Sequence, residues 1–237
     1  MNKRILIHRT DSNGKSHLQG FSLDCTPEFT VLDALFALQQ QDSTLAFRCS
    51  CRVGMCGTCG IQVNGVPRLA CKTRLASLRE KTVFLAPLPH FKVIRDLAVS
   101  FATFFEQWRK VLPAMRSRDP ESTELAIVPG DSAYARRTAG RRDCITCGLC
   151  FSTCGILASS KQYLGPAAIN RALLRVLDPR DTARAERLAV LDGAREGVWR
   201  CHTQMNCTMV CPKGIDLTAS IAQFKRSLLA GKGAAES

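Results

Sequence analysis

The hydrophobic pattern changes period partway along the chain. Lys3 to Arg9 and Phe21 to Cys25 alternate apolar and polar side chains, and the turn cluster Asp11-Ser-Asn-Gly14 between them predicts a β-hairpin. From Val31 the period lengthens. Val31, Leu32, Leu35, Phe36 and Leu38 share one helical face, Thr30 stands where an N-cap belongs, and Asp33 puts a carboxylate in the first turn. Ile61 and Val63 predict a short strand that Asn64-Gly65 turns back, and Thr82 to Leu85 predicts a strand that closes the sheet. Strands and one helix in this order suit a small β-grasp sheet. From Phe91 onward, Val93, Ile94, Leu97, Phe101, Phe104, Phe105 and Trp108 follow helical spacing, which predicts a boundary near residue 100 and two domains, 1–99 and 100–237. Pro113 to Gly140, rich in Pro, Ser, Gly and charge, predicts a long irregular connection. Ala167 to Leu177, Thr182 to Leu191, and a stretch capped by Asp216 with Leu217, Ile221, Phe224 and Leu228 on one face predict helices. The expected class is α+β, sheet first and helices second.

Cysteine spacing adds chemistry to this outline. Cys51-x4-Cys56-x2-Cys59, with Cys71 eleven residues further on, is the plant-type ferredoxin spacing in which four thiolates hold [2Fe–2S]. Gly54, Gly57 and Gly60 let the backbone wrap closely and aim amides at the sulfurs. Cys144-x2-Cys147-x2-Cys150-x3-Cys154 is a bacterial ferredoxin run, and Cys201-x5-Cys207-x3-Cys211-Pro212 supplies three more thiols. In two-cluster ferredoxins the last cysteine of each run serves the other cluster. Cys144, Cys147, Cys150 and Cys211 therefore form a [4Fe–4S] set, leaving Cys154, Cys201 and Cys207. Gln204 stands where a fourth thiol of that second set would fall, so the expectation is [3Fe–4S]. Cys25, in step with Phe21 and Leu23, reads as an apolar filler, and Cys49 as a thiol left out of the first set, either inert or a labile, oxidisable site beside it. Zinc is the competing occupant for C-x2-C pairs. Seven interleaved cysteines ending in Cys-Pro weigh against it.

Composition narrows the setting. Thirteen cysteines clustered at metal-type spacings, without a secretory signal, point to ligands in a reducing compartment rather than disulfides. No run approaches the ~18 apolar residues a membrane span needs; the most apolar helical candidate, Leu97 to Phe105, is broken by Ser100 and Thr103. A formal charge of +13 invites a nucleic-acid reading, but the basic residues are spread along the chain, aromatics are only 6%, and no nucleic-acid motif is present. The dense run Arg136-Arg137-Thr-Ala-Gly-Arg141-Arg142 reads as a solvated face or as a surface docking to an acidic subunit or anionic headgroups.

A plant-type [2Fe–2S] ferredoxin domain followed by an all-helical, bacterial-ferredoxin-like domain resembles the iron–sulfur subunit of the succinate dehydrogenase and fumarate reductase family over nearly the whole chain. The pieces that carry the resemblance are Cys51-Arg-Val-Gly-Met-Cys56-Gly-Thr-Cys59, Pro87-Leu-Pro89 with Val93-Ile-Arg-Asp-Leu97, Tyr163-Leu-Gly-Pro-Ala-Ala168, Trp199-Arg-Cys201-His202, Asn206-Cys207 and Cys211-Pro-Lys-Gly214. The resemblance implies three clusters in a line, passing electrons singly from FAD on a flavoprotein subunit toward quinone at a membrane anchor, with this chain peripheral on the cytoplasmic or matrix face. It implies that His202 lies near the quinone, with Arg200 and Lys213 at the same end; a role for His202 in bonding the cluster or backbone stands equally open. One segment departs from the family. After the cysteine matching Cys154 the family has Pro and a run of aromatics, whereas this chain reads Gly155-Ile-Leu-Ala-Ser-Ser160. That departure leaves a second possibility, the same wire serving a flavoprotein of other substrate or a non-quinone acceptor. A third, from another class, is a zinc-stabilised basic module.

Overall fold

The computed structural model describes residues 1–11, 14–117, 121 and 126–229. The chain divides into two compact units, Met1–Thr103 with Ile145–Thr153, and Phe104–Cys144 with Cys154–Ser237. The first break in this division falls at Thr103, and Ile145–Thr153 returns to the N-terminal unit.

The first unit is built on a five-stranded sheet. Strands β1 (Asn2–Thr10) and β2 (Ser16–Asp24) pair antiparallel as the expected hairpin, although Ser12 and Asn13 of its turn lie outside the described residues. Helix α1 (Val31–Gln41) begins in a capping box: Thr30 Oγ1 accepts the Asp33 N–H at 3.2 Å and the Asp33 carboxylate accepts the Thr30 N–H at 2.9 Å. Strands β3 (Gly60–Val63) and β4 (Val66–Leu69) form the second hairpin about Asn64-Gly65, and β5 (Thr82–Ala86) enters between the hairpins, parallel to β1, giving the order β2-β1-β5-β3-β4. The last strand thus closes the sheet from its middle. Ile5, Ile7, Val83 and Leu85 meet Leu32, Leu35 and Leu38 in a core closed to water, each contributing roughly 1.5–3 kcal/mol.

Beyond Phe91 the helical expectation fails. The chain instead forms a ribbon of β6 (Lys92–Arg95) and β7 (Ala98–Ser100), and only then helix α2 (Ala102–Lys110). Val93, Ile94 and Val99 are β-branched and fit a strand as well as a helix. The turn between them decides the matter. Asp96 takes positive φ (47°), and its buried carboxylate accepts the N–H groups of Thr10 and Ala46, each at 2.8 Å. Arg9, also buried, pairs with Asp96 at 3.1 Å and Asp42 at 2.8 Å. These long-range bonds override a local period that has no partner of its own.

The second unit is helical among its described residues. Helix α3 (Ala133–Thr138), capped by Ser132, lies inside the stretch expected to be irregular; residues 118–120 and 122–125 of that stretch lie outside the described residues. The short helix α4 (Leu149–Ser152) belongs to the first unit, while α5 (Gly155–Ser159), α6 (Pro166–Val176), α7 (Arg184–Asp192), α8 (Asn206–Met209) and α9 (Leu217–Leu229) belong to the second. Helix α6 is buried on nearly every side and packs against α7 and α9. Its Asn170 donates to the Arg141 carbonyl at 3.1 Å and accepts from the Ser220 hydroxyl at 3.4 Å. Arg187, 0% exposed, pairs with Asp181 and donates to the carbonyls of Leu112 and Ala114, which fastens the chain leaving α2. No described helix is long and apolar enough to cross a membrane.

Replacing Asp96 by Ala should destabilise the protein by about 3 kcal/mol, near the low end for a broken buried pair because Arg9 keeps Asp42. A urea titration followed by circular dichroism measures this. Acid should act at the neighbouring carboxylate. The Thr44 hydroxyl and then Arg9 hold Asp42 well below the usual carboxylate range, so the stability it contributes is present at neutral pH and is lost as pH falls through that depressed value.

Candidate metal centres

Three of the expected ligands lie in one loop of the first unit, and a fourth, Cys71, follows the second hairpin. Arg52 (φ 60°), Gly54 (φ 77°) and Gly57 (φ 74°) all take left-handed backbone and wind the chain from Cys51 through Cys56 to Cys59. The winding turns amides inward: Cys51 Sγ accepts the N–H groups of Met55 at 3.2 Å and Cys56 at 3.3 Å. Cys59 precedes β3 and Cys71 lies in a single 3-10 turn after β4, where the Ala70 N–H bonds the Cys59 carbonyl at 3.0 Å. Space around the loop is tight. A Cβ on Gly57 would come within 2.8 Å of the Cys147 Cβ and 2.9 Å of the Ile145 carbonyl oxygen, and one on Gly54 within 2.8 Å of the Lys72 chain.

The thiols of this loop are not equivalent. The Thr58 hydroxyl, with the backbone of Cys51, pulls Cys56 down to about 6, while burial pushes Cys59 up to about 12. A thiol so raised is costly to ionise alone and becomes a thiolate when a cation meets it. Four converging thiols, inward amides and a backbone that tolerates no Cβ fit a two-iron cluster. Cys49 is half-buried beside this loop, and Cys25 is buried with its thiol on the Met1 carbonyl at 3.4 Å, a packing position.

In the second unit Cys154, Cys201 and Cys207 border one small cavity together with Tyr163, His202 and Gln204. Thr203 (φ 57°) and Met205 (φ 63°) bend the chain between the second and third cysteines, and Cys201 Sγ accepts the Thr203 N–H at 3.4 Å. Cys207 starts within α8, its sulfur 3.7 Å from the Thr218 hydroxyl. Burial raises the thiols of Cys154 and Cys207. Tyr163 is 1% exposed and its hydroxyl makes no hydrogen bond of full geometry. Burial, followed by the charges of Cys201, Cys154 and Cys207, pushes its ionisation far above the ordinary tyrosine range. Three thiols around a cavity, with an orphaned hydroxyl aimed among them, fit a cluster held at three corners.

Sequence spacing missed two features of this cavity. Tyr163 stands in a recognisable motif, but its orientation toward the cysteines is set by packing. Gln204 packs onto Gly155: a Cβ there would lie 2.7 Å from the Gln204 side-chain oxygen. The residue after Cys154 that departs from the resembled pattern therefore makes room for the one standing where a fourth thiol would fall. Of the three residues expected near a quinone, exposed His202 borders the cavity, whereas Arg200 and Lys213 do not.

The remaining expected ligands have local cradles of their own. Thr146 (φ 52°) and Gly148 (φ 75°) wind the loop that carries Cys147 and leads to Cys150 in the first unit, where the Phe91 ring packs at a tilt against Phe101 at 4.7 Å and Phe151 at 5.1 Å. Cys144 and Cys211 belong to the second unit, and Cys211 Sγ accepts the Ile215 N–H at 3.4 Å. Among the described residues no three Cys, His, Asp or Glu side chains close upon a single-ion site. A cluster takes no more than two thiolates on any one iron and needs no such closure.

Residues 4–106 match the model of a 2Fe-2S iron-sulfur cluster binding domain, and residues 141–215 that of a 4Fe-4S dicluster domain. The chain is 36% identical over 220 residues to the mitochondrial succinate dehydrogenase [ubiquinone] iron-sulfur subunit of Candida glabrata, covering 90% of this chain and 85% of that one. A chain in the Mycobacterium smegmatis Sdh1 complex in the apo form superposes with a TM-score of 0.82 at 26% identity, covering 98% of this chain and 97% of the other. A hypothetical protein from Helicobacter pylori shares the fold alone, with a TM-score of 0.57 at 14% identity over 94% of this chain and 39% of its own.

Gly57→Ala should cost about 2–4 kcal/mol, from overpacking against Cys147 together with the strain of a side chain at positive φ. Loss of iron from the first loop, followed by visible absorbance during urea titration, reports it; retention equal to the parent protein contradicts the tight approach.

Proposed function

This chain belongs to the iron–sulfur subunit family of succinate dehydrogenase and fumarate reductase, and from that premise we propose that it carries electrons between FAD on a flavoprotein subunit and quinone at a membrane anchor. Cys51, Cys56, Cys59 and Cys71 hold [2Fe–2S]; Cys144, Cys147, Cys150 and Cys211 hold [4Fe–4S]; Cys154, Cys201 and Cys207 hold [3Fe–4S]. The observation that supports this most directly is the pair of unlike thiol cradles, four around a glycine-wound loop and three around a cavity containing Gln204.

When bound, such clusters take up and release one electron at a time with little change of shape. The chain's own residues set the ease of that step. Amides on Cys51 and Cys201 stabilise negative charge on sulfur, and burial of Cys59, Cys154 and Cys207 lowers the local dielectric. No substrate chemistry rests on this chain. Its net charge of +13 suits docking to an acidic flavoprotein or anionic headgroups, and attachment to the cytoplasmic face of the inner membrane runs through the anchor. His202, exposed at the cavity rim, is the side chain best placed to meet a quinone.

A second reading has its own support. The segment after Cys154 departs from the family pattern at Gly155, where Gln204 fills the space a Cβ would take, which suits a flavoprotein of different substrate or an acceptor other than quinone.

Electron paramagnetic resonance of the anaerobically purified complex, with iron and zinc quantified, tests the proposal. An oxidised three-iron signal and a [2Fe–2S] signal on reduction are expected, and Cys207→Ser should abolish the first while sparing the second. Zinc in place of iron in protected samples contradicts the assignment. Absence of quinone reductase activity in a complex with all three signals favours the other acceptor, whereas activity that His202→Ala leaves unchanged removes His202 from the quinone site.

A further inference from the structure

The hydroxyl of Tyr163 is the one feature of the three-cysteine cavity that neither spacing nor fold accounts for. Its ring is held from both sides of the chain. The Tyr163 N–H bonds the Ser160 carbonyl at 3.3 Å, the Leu164 N–H bonds the Glu196 carbonyl at 2.9 Å, and Gly165 (φ 82°) then turns sharply into Pro166 and α6. So fixed, the ring is 1% exposed and borders the cavity with Cys154, Cys201 and Cys207. Its buried hydroxyl makes no hydrogen bond of full geometry, and the side chain that acts on it as a hydrogen-bonding neighbour is Cys201. A buried hydroxyl left unpaired is unfavourable, and phenylalanine would fill the same volume without that penalty. The Thr218 hydroxyl, 3.7 Å from the Cys207 sulfur, already shares a bond with Thr208 at 2.9 Å.

We propose that Tyr163 donates its O–H as a hydrogen bond to the sulfur shell held by Cys154, Cys201 and Cys207, and so sets how readily this centre accepts an electron. The inference rests on the [3Fe–4S] assignment above. Reduction adds one negative charge to the centre. In a buried site a donor aimed at sulfur stabilises that charge, whereas an apolar ring does not. The proton stays on Tyr163 throughout. The electron enters from the upstream centres of the chain and leaves to the acceptor, so nothing else is consumed.

The test is a redox titration of the intact complex, reading the three-iron signal of the parent, of Tyr163→Phe, and of protein with 3-fluorotyrosine at position 163. Phe removes the donor and should lower the reduced-to-oxidised ratio at fixed ambient potential by about tenfold, the scale of one hydrogen bond to a charged group. Fluorotyrosine, a stronger donor of nearly the same shape, should shift the ratio the opposite way. The [2Fe–2S] titration should be unchanged in both. If Tyr163→Phe sheds its cluster, the fluorotyrosine protein decides alone. Both proteins titrating like the parent, with the signal intact, overturns the inference and leaves the cluster assignment standing. Absence of any three-iron signal in the parent overturns the assignment, and the inference with it.

Discussion

A thiolate buried away from water is unfavourable until a cation meets it, and both units are organised around that constraint. Burial raises Cys59, Cys154 and Cys207, so these cavities favour either protonated thiols or thiolates facing iron. Left-handed residues bring the sulfurs together: Arg52, Gly54 and Gly57 around one set, Thr203 and Met205 within the other. The scaffold beneath is ordinary. A sheet and α1 pin the first loop, and α6 with α9 backs the second.

Much of this was legible because thiol spacing is a chemical signal while hydrophobic period is a packing one. The capping box at Thr30, the hairpin at Asn64-Gly65 and the cap at Asp216 were readable because each is set by neighbours a few residues apart. The ribbon after Phe91 was not. Its turn depends on Asp96 reaching Thr10 and Ala46, residues 86 and 50 positions away, which no local window contains. The same holds for Tyr163, whose motif is visible while its orphaned hydroxyl appears only in three dimensions.

Gly155, where the resembled pattern has proline, and Gln204, where a fourth thiol would fall, can be understood as a pair. Together they are complementary, the missing Cβ of one being the space of the other. Changing Gly155 alone therefore disturbs Gln204 before it touches any expected ligand.

The return of Ile145–Thr153 bears on biogenesis. Gly57 faces Cys147, Gly60 faces Leu149, and Gly148 faces Phe91 and Phe101, so the sheet unit lacks part of its packing until the ribosome has added about fifty residues beyond Thr103. Chain synthesis thus delays its completion. A nascent chain released early would expose Phe91 and the wound cysteine loop while both still await their neighbours, and iron delivered at that stage would meet a half-made cradle.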